Sequence, residues 1–425
     1  MIVRGLKYKL APTAPQEASF QQFSGVCRVI YNAALFQREH FWRQYQRNTG
    51  KHISYVSQAK ELTQLRAEFD WIAAVSQTCQ QQALRDLDKA YQNFFAGRTG
   101  YPTPRRKGRN DSFRFQGREC TVNRLNRNWA SVCLPKIGPV RFRLTRPVAG
   151  KVKNVTISHD SLGWHVSFAC EIEHKAVPTS LPPVGIDRGV ANAIALSTGD
   201  MPEFPIETIK MLDRRCRNTQ KAMARRKRGS THHAVMRRRG AALKAKAARI
   251  RRHWNHVQTR RIARCFGIVC LEDLRISNMT ASARGTIAEP GKKVRQKAGL
   301  NRSILEHGWH QFEVFLTYKL TAAGGEIRLV NPRNTSRRCS VCHTVDARNR
   351  KSQALFQCVA CGHKAHADVN AAVNILHAKE APVSSTYGAP RSGEKHRICK
   401  SGATEVGTRP SVTTSVVSRK SRCAA

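Results

Sequence analysis

Acidic residues are scarce in this chain. Aspartate and glutamate number 28 in 425 residues, against 74 lysines and arginines, for a net charge of +46. Such a chain repels itself unless a polyanion neutralises it. Nucleic acid is therefore the expected partner, with steeply salt-dependent binding. Long apolar runs are missing too. None approaches the roughly eighteen residues that a membrane helix needs. The opening Met1-Ile2-Val3-Arg4 is too poor in apolar residues for the core of a signal peptide. A membrane partner is not expected, and a cytoplasmic location is. Internal repeats are absent as well, which excludes a solenoid.

Cysteine is not lacking. Ten of the fourteen cysteines are scattered singly, and the other four are paired in a pattern. Cys339-Ser340-Val341-Cys342 is followed, after fifteen residues, by Cys358-Val359-Ala360-Cys361. Two such knuckles supply four thiolates and close a tetrahedron around one structural zinc. His343, His363 and His366 lie close by, and each could replace a thiolate. A closed site of this kind leaves no position open for catalysis, so the zinc is expected to fold the ribbon and do no more. The remaining thiols read as reduced, in keeping with a chain of this size without export signals.

Along the chain, Ile2 to Leu10 reads as a strand that Pro12 and Pro15 end. Gln16 to about Phe95 carries helical periodicity, with Val26, Ile30, Ala33 and Ala34 as one stripe. A Gly/Pro/basic connector spans Gly97 to Arg109. Short apolar runs between about 112 and 174 then read as a small β-barrel or sandwich that the first strand joins. Residues 210–264 are almost all helix formers, with twenty Lys or Arg against the single acid Asp213. Gly229-Ser230 is expected to split them into two helices. That charge skew points to a surface tracking phosphate, with Arg225, Arg226, Lys227 and Arg228 at its middle. Residues 281–299 read as a polar loop, Leu305 to Leu320 as one amphipathic helix, and Glu326 to Val330 as a strand. The tail from 381 to 425 has little to bury and is expected to be disordered.

Because acids are rare, their positions are informative. Asp187 and Glu272 each end an apolar strand, and Asp368 opens a helix just beyond the ribbon. An Asp in that last position also suits an N-cap. Carboxylates converging from neighbouring strand ends are costly unless a divalent cation neutralises them. Magnesium is the expected ion, bound by the carboxylates and by substrate phosphate oxygens. Two ions about 3.5–4 Å apart would activate water and stabilise the leaving 3′ oxygen of a phosphodiester. Gln77, Gln80, Gln81 and Gln82 start a helix, where glutamine can read adenine edges or simply be solvated.

Taken in order, several segments resemble the TnpB family of transposon-encoded RNA-guided nucleases, related to type V CRISPR effectors. They are Cys27 to Asn32, Ala83 to Phe95, Gly185-Ile186-Asp187, Leu271-Glu272-Asp273-Leu274 with Asn278-Met279, Gly308-Trp309 to Lys319, Thr335-Ser336, and Ala367 to Leu376. The resemblance covers roughly residues 1–380. It implies a multidomain α+β chain with an RNase H-like (RuvC) nuclease domain at 181–334 and 365–380, interrupted by a zinc ribbon at 335–364. It also implies a β-barrel wedge at 1–15 and 97–180, carrying a helical recognition insertion at 16–96. The catalytic triad would be Asp187, Glu272 and Asp368. The partners would be a guide RNA from the transposon end and double-stranded DNA beside a short transposon-adjacent motif, with a monomer favoured. Tyr55, Gln77 and Gln81 fall where the family reads that motif. His366 stands where many members carry an extra Asp. Arg188, beside Asp187, is unusual and could contact a phosphate or lower the local negative charge. An inactive RNA-guided repressor would have lost one of the three carboxylates. A transposase acting directly on transposon ends would typically order its acids Asp, Asp, Glu.

Overall fold

The computed structural model describes residues 2–46, 52–173, 179–286 and 289–378, and these belong to one compact unit. The tail after residue 380 lies outside them. Strand β1 (Ile2–Ala11) buries Tyr8 and Leu10 on one side. It is followed by α1 (Ala14–Phe41), whose start is fixed by Pro15 in the first turn and by Gln16 Oε1 accepting from the Thr13 N–H at 3.0 Å. Phe20, Phe23, Cys27, Ile30, Tyr31 and Ala34 form its buried stripe at helical spacing. Helices α2 (Tyr55–Glu68), α3 (Asp70–Ala73) and α4 (Gln77–Phe95) complete a helical segment lying in sequence between β1 and β2 (Ser112–Gln116).

After β2 come β3 (Thr121–Arg124), β4 (Trp129–Leu134), β5 (Gly138–Arg143), β6 (Lys151–Asp160) and β7 (Gly163–Ile172). These strands and β1 form a seven-stranded antiparallel sheet in the order β2-β6-β7-β1-β5-β4-β3. The first strand thus sits in the middle of a sheet whose other members come a hundred and more residues later. The aromatic face of α1 packs on this sheet, with Phe20 edge-on to Trp164 at 5.0 Å.

A second sheet begins at β8 (Pro183–Asp187), which pairs antiparallel with β9 (Ala195–Leu196). Helices α5 (Ile206–Ala224) and α6 (Thr231–Cys265) follow, separated at Gly229-Ser230. Strand β10 (Ile268–Glu272) then lies parallel to β8, and β11 (Glu326–Val330) parallel to β10, in the order β11-β10-β8-β9. Val184, Ile186, Val269 and Leu271 are fully buried, as expected of parallel strands covered by helices. Trp254 and Ile262 of α6 cover them, with Phe312, Leu316 and Leu320 of α9 (Trp309–Ala322).

Two expectations fail between β10 and β11. The short α7 (Ile276–Met279) precedes the segment read as a polar loop, and that segment runs into the longer α8 (Val294–His307). Only Ile304 and His307 of α8 are buried, too thin an apolar stripe to show as periodicity. The helix expected from Leu305 to Leu320 is two helices, because Gly308 at φ 67° turns the chain between α8 and α9. The last elements are the hairpin β12 (Leu355–Gln357) and β13 (Lys364–His366), and α10 (Ala367–His377), which packs on β8 and β9. Among the described residues no helix is long and apolar enough to cross a membrane.

Candidate functional site: three carboxylates beside a four-cysteine ribbon

The end of β8 carries Asp187, the end of β10 carries Glu272, and the first turn of α10 carries Asp368. Parallel pairing of β8 with β10 aligns the first two. A glycine brings in the third. A Cβ at Gly185 would stand 2.1 Å from the Ala372 carbonyl oxygen, so only glycine lets α10 lie this close to β8. Asp368 is not the N-cap of its helix. His366 caps it, its Nδ1 accepting from the Asp368 N–H at 3.3 Å. The Asp368 carboxylate is thereby left for other partners.

None of those partners was given a role at the site from sequence. Asn192, in the loop after β8, donates Nδ2–H to Asp368 Oδ2 at 3.0 Å, and Arg350 of the ribbon donates to Oδ1 at 3.2 Å. The Thr335 hydroxyl donates to Glu272 Oε1 at 2.6 Å. Asp187 receives no hydrogen bond among the described residues. Burial, then the charges of Glu272 and Asp368, push its carboxyl up to about 7, against the pull of Arg350 and Arg188. Burial also raises Glu272, while the Thr335 hydrogen bond and Arg188 oppose it.

Arg188 does not reach outward to a phosphate. Its side chain is fully buried, donating to Glu313 Oε2 at 2.8 Å and to the Glu272 carbonyl at 2.5 Å. It lowers the local negative charge from within the fold and ties the β10 end to α9.

The four cysteines come together, with all four Sγ atoms within 4.8 Å of one another. Cys339 and Cys358 are buried and Cys361 is exposed. The two knuckles fold alike. The Cys339 N–H bonds the Thr344 carbonyl at 3.0 Å, and the Cys358 N–H bonds that of His363 at 2.9 Å. The residue after each second cysteine is left-handed, His343 at φ 60° and Gly362 at φ 73°. Hydrogen bonding with the Thr344 side chain, then with its backbone, holds the Cys342 thiol down at about 6, in the thiolate range. No histidine joins the set. Among the described residues this is the only such group of potential ligands. Two asparagines fasten the ribbon to α10. Asn370 Nδ2 and Asn374 Nδ2 both donate to the Arg338 carbonyl, at 2.8 and 2.7 Å.

The basic residues Arg225, Arg226, Lys227 and Arg228 are all exposed at the turn between α5 and α6. Gln77 is exposed at the start of α4, and Gln81 is half-buried one turn later. Gln80 is fully buried, bonded to the Ile72 carbonyl and to Arg66, and Gln82 is buried too. Tyr55 joins the same helix through Arg85, whose Nε–H reaches its hydroxyl at 3.1 Å and whose guanidinium lies 5.3 Å from its ring centre. Arg85 continues the Gln77–Gln81 row at the next i+4 position.

Two parallel strand ends and a helix start therefore define a class: an α+β protein with an open carboxylate site beside a closed four-thiol ribbon. Comparison narrows it. The chain is 36% identical over 383 residues to "Putative RNA-guided DNA endonuclease InsQ" of Escherichia coli K12, across 89% of this chain and 93% of that protein. It is 30% identical over 410 residues to a "Putative RNA-guided DNA endonuclease" of Streptomyces pristinaespiralis, across 94% and 95%. Family models match residues 167–283 ("Probable transposase"), 309–375 ("Cas12f1-like, TNB domain") and 1–47 ("Helix-turn-helix domain"). The last stretch is here a strand and one long helix, followed by a π-helical turn at Trp42–Gln46. The fold matches a solved Cas12f1–sgRNA–target DNA complex with TM-score 0.58 at 15% identity, over 89% of this chain and 99% of that one. The chain belongs to the TnpB family that includes the two bacterial relatives.

Proposed function

We propose that this protein is an RNA-guided DNA endonuclease that hydrolyses phosphodiesters at the Asp187–Glu272–Asp368 cluster. The observation that carries this reading is the convergence of three carboxylates in a +46 chain, one of them, Asp187, half-buried without a hydrogen-bonding partner among the described residues. The names and lengths of the two bacterial relatives support it. A donor set of three carboxylates with like-charge repulsion fits a hard divalent cation. Asp187, Glu272 and Asp368 would hold magnesium, which supplies a polarised water and a counter-charge for the leaving 3′ oxygen.

The chain's own groups prepare that site. Asn192 and Arg350 orient Asp368, and Thr335 orients Glu272. Arg350, about a third exposed, also brings a cation to the rim of the cluster, where substrate phosphate would sit. The four cysteines would bind one zinc that folds the ribbon, and with it Arg350 and the Asn370–Asn374 fastening. The α5–α6 turn would contact phosphates, and base pairing with the RNA would supply sequence choice. Tyr55, Gln77 and Gln81, with Arg85, would face the short motif beside the target. The RuvC-like, wedge and recognition boundaries given from sequence belong to this same reading, as do a cytoplasmic location and a monomer. The test is to purify the protein from cells expressing its element and sequence the bound RNA. One RNA species ending in variable flanking sequence supports the reading, and a random cellular background refutes it.

A further inference from the structure

At the far end of α4 from Gln77, about 27 Å away at 1.5 Å per residue, four aromatic rings gather. The inner three interlock. Tyr91 and Tyr101 are edge-on at 5.7 Å, with their hydroxyls 3.0 Å apart, and Phe94 is edge-on to Tyr101 at 5.3 Å. Phe95 lies over this base, stacked on Tyr91 at 6.1 Å, and is 77% exposed. A phenylalanine this open is not there to fill a core.

The connector after it is anchored. Pro102 is buried. Asn32 grips the backbone of Arg105 on both sides, its Nδ2 donating to the carbonyl at 2.9 Å and its Oδ1 accepting from the N–H at 2.8 Å. Arg105 itself lies 4.0 Å from the Tyr31 ring centre and pairs with Asp86 at 3.0 Å. Yet Arg98, Arg106, Lys107 and Arg109 are exposed, and none forms an ion pair among the described residues. A held backbone thus presents one open ring and four unneutralised cations.

We propose that Phe95 and its basic connector form a stacking platform for an unpaired nucleobase of bound RNA. Base–aromatic stacking beside a cationic backbone track is the usual chemistry of single-strand recognition. A neutral lipid or a protein without an acidic patch would use the ring but leave four cations unmatched, whereas a nucleic acid brings a base and phosphates together. RNA is favoured over DNA because a permanently exposed apolar ring suits a partner that stays bound, and the inference rests in that respect on the RNA-guided reading.

The test is zero-length ultraviolet crosslinking of the protein purified with its RNA, followed by mass spectrometry of the peptides. A ribonucleotide adduct on the peptide bearing Phe95 is expected. Phe95→Ala should remove it while RNA still co-purifies, should leave the thermal midpoint unchanged, and should weaken single-stranded RNA binding about tenfold with no change in salt slope. Phe95→Trp should restore both adduct and affinity. Arg106→Gln with Lys107→Gln should instead flatten the salt dependence. The proposal is overturned if no adduct forms there while the α5–α6 helices do crosslink, if only deoxynucleotide adducts form, or if Phe95→Ala binds RNA like the wild type. Sequencing the RNA tests whether it is a guide, whereas the adduct's position tests the platform, so either idea can fail alone.

Discussion

The ribbon and the carboxylate cluster are neighbours built in opposite ways. The ribbon's four ligands come from a short stretch, Cys339 to Cys361, and each knuckle folds on its own backbone hydrogen bonds. The carboxylates come from β8, β10 and α10, and meet only because two parallel strands align and Gly185 admits a helix. The ribbon gathers its ligands tightly and closes. The acid site draws its members from three elements, with Asp368 held by Asn192 and Arg350, Glu272 by Thr335, and Asp187 by no hydrogen bond among the described residues. Zinc in the first would act as a fold element, and magnesium in the second as part of the chemistry.

That contrast can be broken in several places. The largest effect is expected from Glu272→Ala, which should slow cleavage by about a thousandfold or more, about 4 kcal/mol of barrier, with target binding retained. Single-turnover cleavage and gel-shift assays on the same preparation check it. Cys358→Ser should act on structure first. Zinc should fall well below about one per chain, proteolysis should open at 335–366, and cleavage should drop because Asn370 and Asn374 of α10 lose their hold on the ribbon. Metal analysis with limited proteolysis separates this from a direct catalytic loss.

Asn192→Ala should be milder, costing about 10–100-fold in activity, as partners that orient a ligand usually do, with zinc content unchanged. Parallel cleavage and metal assays test both halves of that statement.

The smallest effect is a pH dependence. Asp187 is raised from an ordinary 3.8 to about 7. Its bound proton therefore favours the metal-free fold fully below about pH 4, and that contribution is lost as pH rises through about 7. The melting midpoint without magnesium should fall by a few degrees between those limits. Asp187→Asn should flatten the trend, and calorimetry across the range reads it.

Local spacing made part of this legible in sequence. Two CxxC pairs needed only counting, and Asp187 and Glu272 stood out as acids closing apolar strands in an acid-poor chain. The split at Gly229-Ser230 and the seat of the first strand within the later sheet were readable from turns and alternation. Contacts across the fold were not. Asn192 and Thr335 look like ordinary polar loop residues until Asp368 and Glu272 arrive beside them. Arg188 sits next to a carboxylate in sequence but turns inward to Glu313, more than a hundred residues away. Helix α8 escaped because it buries too few side chains to leave a stripe.

One assay bears most directly on the central claim. The protein with its bound RNA is given magnesium and DNA that either matches or does not match that RNA, beside wild-type and Asp187→Ala proteins. The account predicts that only matched DNA is cut, and that Asp187→Ala binds it without cutting. Full-rate cutting by Asp187→Ala, or equal cutting of both DNAs, would contradict it.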